Sequence, residues 1–287
     1  MQWEGYAGES HPGERADRET LFNVASITKT VFAETALRLV SQGDLSLTEP
    51  MATWWRDPDV VHDTRINSLT LENALTHSTG FPNWRFFKKD GKLAFDFTPG
   101  SAFQYSGEGF EYARRYMEAK LGRSFQDLAD ELIFAPLDIK TASLVAAEEN
   151  GRLLVRPLDE DGKFFGYYCR PGGYCREPGS TNAAADLAIS LPDYARFFES
   201  VIAGDGLDPK LAERARRIVI ERDDGEKIVD CGQAPPQGCP IEQGYGLGLE
   251  IVDYGKVRMI GHSGWDWAQV AVAYYYEATG DGVIIFL

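Results

Sequence analysis

FNVASITKTVFAE, residues 22–34, sets a serine and a lysine, Ser26 and Lys29, at i and i+3 in a run whose apolar residues otherwise recur at the helical period. Val24, Ile27, Val31, Leu37 and Val40 keep that spacing up to Gln42, and Gly43 follows as a stop, so a helix is predicted over Val24–Gln42. On a helix the two polar side chains leave one face a turn apart. A serine hydroxyl is a weak nucleophile at neutral pH, and a lysine becomes a base only where burial or a nearby cation lowers its pKa from about 10.4. The start of a helix adds free N–H groups and the positive end of the dipole, both favourable to developing negative charge. S-x-x-K alone fits a capping serine and a lysine reaching to water at least as well, so the pair needs partners elsewhere in the chain.

The 287-residue chain, 44% apolar, can bury a sizeable core as one large or two interleaved domains. Its 29 basic and 44 acidic side chains leave a formal charge of −15, which repels polyanions and removes nucleic acid from the expected partners. No stretch has the apolar length to span a bilayer, and MQWEGYAGESHPGE at the start lacks the basic opening and apolar run of a secretion signal. The chain opens in what reads as the tail of a strand and stops on the apolar GVIIFL, so truncation at both ends is expected. Four cysteines form two close pairs, Cys169 with Cys175 in CRPGGYC and Cys231 with Cys239 in CGQAPPQGC. Local disulfides are favoured, because each short Pro and Gly loop can close on itself without bringing distant backbone together. Zinc is the rival, although gaps of five and seven residues exceed the usual spacing of paired ligands, and free thiols are the plainest alternative. Disulfides would mean a periplasmic or secreted protein.

Further helical periodicity covers Leu71–Thr76, Glu111–Leu121, Phe125–Phe134, Asn182–Ile202 and Pro209–Val219, separated by Gly, Pro, Ser and Asp clusters. After Gly244 the texture changes: YGLGLEIVD, KVRMIG and QVAVAYYYE alternate with period two, and DYGK reads as a turn between the first two. The expected fold is α+β, an antiparallel sheet flanked by helices with an inserted, mostly helical region. It forms a single domain over 1–287, with the insertion at roughly 45–240 and the sheet strands at 241–287.

Two more short motifs give Ser26 and Lys29 their partners. QYSGEGF, residues 104–110, sets Tyr105 in a loop leading into a helix, and GHSGW, residues 261–265, ends a strand. With these the sequence resembles the serine β-lactamase and penicillin-binding-protein superfamily, nearest the class C β-lactamases and the esterases and D-aminopeptidases similar to them. That family carries S-x-x-K, then Y-x-N, then K-T-G or H-x-G on a strand; here they stand as Ser26-Ile27-Thr28-Lys29, Tyr105-Ser106-Gly107 and His262-Ser263-Gly264. LTHSTGF, residues 75–81, also looks like the family's loop after the first helices.

The resemblance implies a β-lactamase/transpeptidase-like fold and an acyl-enzyme on Ser26, activated by Lys29, with Tyr105 relaying the proton to the leaving group. His262 would take the place of the strand lysine, and the N–H groups of Ser26 and Trp265 would form the oxyanion hole. Ser263, Gly264, Gly107 and Trp84 are the expected substrate contacts, and the substrate is a small molecule or short peptide. No metal or organic cofactor is implied. Two departures stand out: Gly107 lacks the amide that the motif's Asn supplies, and an imidazole near its ordinary pKa is mostly neutral at pH 7. Both lean toward esters or uncharged amides rather than efficient β-lactam hydrolysis. The alternatives are a penicillin-binding sensor acylated without turnover, a D-amino-acid peptidase, or an inactive relative.

GHSGW also nearly matches the nucleophile elbow G-x-S-x-G, with Ser263 as nucleophile. An elbow leads from strand into helix, whereas the residues after it alternate like another strand. His11, His62 and His77 are scattered and outside any H-E-x-x-H. Trp54, Trp55, Phe86 and Phe87 read mostly as core packing, with Trp84 and Trp265 as the pocket candidates. ERDDGEK, residues 221–227, reads as a solvated turn.

Overall fold

A computed structural model of the protein describes residues 3–147, 153–222, 227–232 and 238–287. Most of the ERDDGEK run and the middle of CGQAPPQGC therefore lie outside the described residues. Strands β1 (Glu9–His11) and β2 (Glu14–Arg15) form a small hairpin. Strand β3 (Leu21–Asn23) pairs antiparallel with β4 (Ala188–Ser190), Asn23 opposite Ala188. The main sheet holds β5 (Ile220–Glu221), β6 (Glu242–Tyr245), β7 (Glu250–Asp253), β8 (Arg258–Asp266), β9 (Gln269–Tyr276) and β10 (Gly282–Phe286). Its order is β10-β9-β8-β7-β6-β5 and every pairing is antiparallel.

Helix α1 (Thr28–Gln42) stops at Gly43, whose φ of 86° closes the last turn as only glycine does cheaply. It is buried along most of its length. Phe32 meets Phe110 and Phe125 edge-on at 5.7 and 5.3 Å on one side. On the other, a Cβ at Gly248, in the turn from β6 to β7, would stand 2.1 Å from that of Ala33. Burying a phenylalanine such as Phe32 contributes about 1.5–3 kcal/mol. Among the described residues the other α-helices are α2 (Leu71–Leu75), α3 (Gly107–Leu121), α4 (Phe125–Ala129), α5 (Leu191–Ala203) and α6 (Pro209–Ala215), capped by Thr70, Ser106, Ser124, Ser190 and Asp208. Among the described residues no helix is long and apolar enough to cross a membrane.

The α+β layout and the late antiparallel strands agree with the sequence, while several boundaries move. The first helix starts at Thr28, because Ala25–Ile27 form a separate 3-10 turn. The third starts a turn early, at Gly107, because Ser106 accepts from the N–H of Gly109. Asn182–Ile202 is helical only from Leu191: Asn182 ties up the N–H groups of Ala184 and Ala185, Asp186 takes a φ of 74°, and Ala188 pairs with β3. The helix expected to Val219 ends at Ala215, and Ile220 joins the sheet. Beyond Phe134, residues 140–147 and 153–187 run through loops and isolated bridges rather than helix. Trp55 packs against Tyr112 at 4.6 Å as expected, but Trp54, Phe86 and Phe87 are exposed, not core.

Candidate active site

Ser26 sits in the 3-10 turn between β3 and α1. Ala25 before it is held at a φ of 47°, an unfavourable region for a residue with a Cβ. Two side chains hold it there: Asn23 Oδ1 accepts from the N–H of Ala25 (3.0 Å), and Thr28 Oγ1 donates to the carbonyl of Ala25 (2.6 Å). Thr28 Oγ1 also accepts from the N–H of Leu187 (3.0 Å), so the loop before β4 is tied to the same turn.

Lys29 does not reach for water; it is 1% exposed. Its Nζ donates to Ser26 Oγ at 3.1 Å and to the carbonyl of Ala184 at 2.8 Å. Burial lowers its pKa to about 7, against an upward pull from Glu250, Asp266, Glu111 and Asp186. A buried amine within hydrogen-bond reach of a part-exposed hydroxyl can take up its proton at neutral pH.

Lys29 Nζ also lies over the Tyr105 ring, 4.7 Å from its centroid. Tyr105 stacks on His77 at 4.2 Å. His77 is fully buried, accepts at Nδ1 from the N–H of Ser106 (2.9 Å) and has its pKa pushed well below the ordinary value by burial. With Nδ1 accepting, the ring proton is on Nε2. At Gly107, the place of a Cβ is 2.6 Å from the Trp84 ring, so the volume an Asn side chain would enter there is filled by indole.

The third motif lies inside β8 rather than at its end. A Cβ at Gly264 would stand 2.5 Å from the carbonyl of Val24 and 3.1 Å from the N of Ser26, so strand and turn meet backbone to backbone. Trp265 follows, 82% exposed. His262 is buried, and burial lowers its pKa to about 4. Its Nδ1 bonds the carbonyl of Ser263, which only accepts, so Nδ1 carries the proton and Nε2 accepts from the Tyr245 hydroxyl. Beside it, Glu250 is buried and pairs with Arg222 at 2.9 Å. Its other oxygen accepts from the Ser263 N–H (3.0 Å), Ser263 Oγ (3.2 Å) and the Tyr274 hydroxyl. Burial raises the Glu250 pKa, and His262, Arg222 and these hydrogen bonds outweigh it, holding the carboxyl below its ordinary range.

Ser26, Lys29, Tyr105 and His262 thus converge, with Gly107, Trp84, Ser263, Gly264 and Trp265 around them. Ser263 is on no elbow, since β8 turns into β9 through Trp267 and Ala268. A profile of the Beta-lactamase family matches residues 1–287. The chain belongs to this family. Among its curated relatives, esterase EstB of Burkholderia gladioli is 28% identical over 71% of this chain and 63% of its own length. The D-alanyl-D-alanine-carboxypeptidase/endopeptidase AmpH of Escherichia coli K12 is 23% identical over 52% and 43%. The chain therefore spans less than two thirds of either protein. The fold is that of the octameric penicillin-binding protein homologue from Pyrococcus abyssi, with a TM-score of 0.74 and 22% identity over 97% of this chain and 65% of that one. It is also that of D-amino acid amidase from Ochrobactrum anthropi SV3, at 0.73 and 19% over 98% and 80%.

Sequence reasoning passed over His77, Ala184, Tyr245 and Glu250. His77 stands within LTHSTGF, where the sequence shows it only as one of several scattered histidines. Glu250 carried a signal: in LEIVD a carboxylate stands where strand alternation calls for an inward apolar side chain. Nothing local marks Ala184, because it acts through its carbonyl.

Proposed function

We propose that this beta-lactamase-family chain is a serine hydrolase that cleaves esters or uncharged amides through an acyl-enzyme on Ser26. The observation that carries the reading is the 3.1 Å contact between the buried Lys29 amine and Ser26 Oγ. Neutral Lys29 accepts the hydroxyl proton as Oγ attacks the substrate carbonyl. The N–H groups of Ser26 and Trp265 face the resulting oxyanion, and Tyr105 passes the proton to the leaving group as its bond to carbon breaks. Water then adds to the acyl ester, releasing the acid and restoring Ser26.

Two features favour substrates without a carboxylate at the third motif. His262, with its pKa at about 4, contributes no positive charge at neutral pH, and the Arg222 guanidinium is spent on Glu250. Trp84 at Gly107 puts an apolar ring where an amide would contact a peptide-like acyl group. The disulfides Cys169–Cys175 and Cys231–Cys239 support a working place in an oxidising compartment, the periplasm or outside the cell.

The test is a panel of short-chain nitrophenyl esters, nitrocefin and D-alanyl peptides, with Ser26→Ala as control. Ester cleavage should be well above nitrocefin cleavage. Equal or faster nitrocefin turnover would sink the ester preference, and an adduct on Ser26 that persists in mass spectra would mean a sensor rather than a hydrolase.

A further inference from the structure

We propose that the rim of the cleft is a subsite for a planar aromatic group of the substrate, assembled by the disulfide-closed hairpin Cys169–Cys175 against Trp84 and Phe86. It rests on the acyl-transfer reading of Ser26, since it names what that substrate carries.

Trp84 is seated by the missing side chain at Gly107, two residues past Tyr105. Phe86 stacks on it at 5.7 Å with 13° between the planes, and Tyr174 stacks on Phe86 at 6.4 Å and 28°. The three rings form one nearly parallel series leading outward from the second motif. Tyr174 comes from the hairpin that the Cys169–Cys175 bridge closes, and the N–H of Arg170 donates to the carbonyl of Tyr174 at 2.8 Å across it. Arg170 lays its guanidinium over Phe86 (5.1 Å) and Tyr174 (6.0 Å) and pairs with Asp266 at 3.3 Å. Asp266 ends β8 directly after Trp265, so this contact ties the hairpin to the strand of the third motif. On the far side Arg176 pairs with Asp186, which accepts from Asn23, three residues before the nucleophile. The cleft between these walls meets the second motif through Trp84 against Gly107, the strand of the third through Asp266, and the turn of the first through Asp186 and Asn23.

Its chemistry selects a flat, uncharged group. Phe86, Tyr174 and Trp267 keep 49, 58 and 55% of their surface exposed, and large aromatics left together in water mark a ligand surface more often than a resting one. Both guanidiniums already face carboxylates, so a substrate carboxylate would gain little, whereas a ring would gain stacking and cation–π contact with Arg170.

The test has a binding arm and a catalytic arm. Phenylacetamide and acetamide are titrated by calorimetry into Ser26→Ala, with and without Phe86→Ala/Tyr174→Ala; both rim side chains are exposed, and melting curves check that the fold persists. Phenylacetamide should bind about tenfold or more tighter than acetamide, and the double substitution should remove that difference. Wild type is then compared on methyl acetate, methyl phenylacetate and benzyl acetate by pH-stat. A ring-bearing ester should have a kcat/KM about tenfold or more above methyl acetate, lost in the rim double variant. Equal binding of the two amides to Ser26→Ala, or tight phenylacetamide binding that survives the double substitution, overturns the subsite. Ring-selective binding to Ser26→Ala with no cleavage of any ester by wild type would leave the subsite standing and bring down the hydrolase reading instead.

Discussion

On the floor of the cleft Lys29, His262, Tyr245 and Glu250 are buried among hydrogen bonds, whereas on its rim Phe86 and Tyr174 stand half in water under one guanidinium, with the half-exposed Trp267 lining the same cleft. The floor is drawn from the start of α1 and the strands β6 to β9, elements the core holds in place. The rim is drawn from loops, one of them closed by a disulfide. Burial on the floor sets protonation states: it brings Lys29 to about 7 and His262 to about 4. Exposure on the rim leaves the outer surface of these stacked rings open to contact instead. Changes to the floor should therefore cost rate or stability, and changes to the rim should cost affinity alone.

The largest expected effect is on rate at the floor. Ser26→Ala and Lys29→Ala should each lower ester hydrolysis about 10³-fold or more, with melting temperatures close to wild type. A Lys29→Ala rate within a few fold of wild type would remove the lysine from the mechanism and leave the floor with no claim to chemistry.

Next comes stability. Glu250→Ala strands the Arg222 guanidinium, 11% exposed, without its carboxylate, and breaking such a pair costs about 3–5 kcal/mol. Urea unfolding should register that loss, and an unchanged midpoint would mean that water already screens the pair and that floor and rim differ less than argued. Gly107→Asn probes the seam between the two regions. Its Cβ would meet the Trp84 ring at 2.6 Å, an overpacking worth about 1–3 kcal/mol, and adding Trp84→Ala should relieve it. A Gly107→Asn protein as stable as wild type would show that the indole moves aside freely.

This division also explains what could be read from the sequence. Ser26, Lys29, Tyr105 and His262 were legible because the family's short motifs fix residue type and order along the chain, and the strands after Gly244 because alternation is local. Glu34, Arg38 and Glu250, by contrast, are charged groups the fold buries, and their burial depends on remote partners: Arg38 donates to Leu132 and Ser200, Glu250 pairs with Arg222. The rim was the least legible. Gly107 read as a lost amide, whereas in the folded chain it is the space a tryptophan occupies, and Phe86 read as core because its composition says nothing of the hairpin that faces it.

The smallest effect is the one pH should reveal, and it tests whether burial alone sets the floor. With the Lys29 pKa at about 7, kcat/KM should rise roughly tenfold per unit below pH 7 and level off above it. His262, neutral down to about pH 4, should add no inflection near 6.5. The same shift enters stability with a definite sign. Between about 7 and the ordinary 10.5 the unfolded chain binds a proton at this lysine that the folded chain does not, so stability rises with pH across that window. Below it, folding must bury an ammonium, and the penalty is present in full. Lys29→Met removes that penalty, so the variant should melt above wild type at pH 6, with the difference shrinking toward pH 10. A difference that does not change with pH would mean that Glu250, Asp266, Glu111 and Asp186 keep the amine protonated throughout, and a base other than Lys29 would then have to activate Ser26.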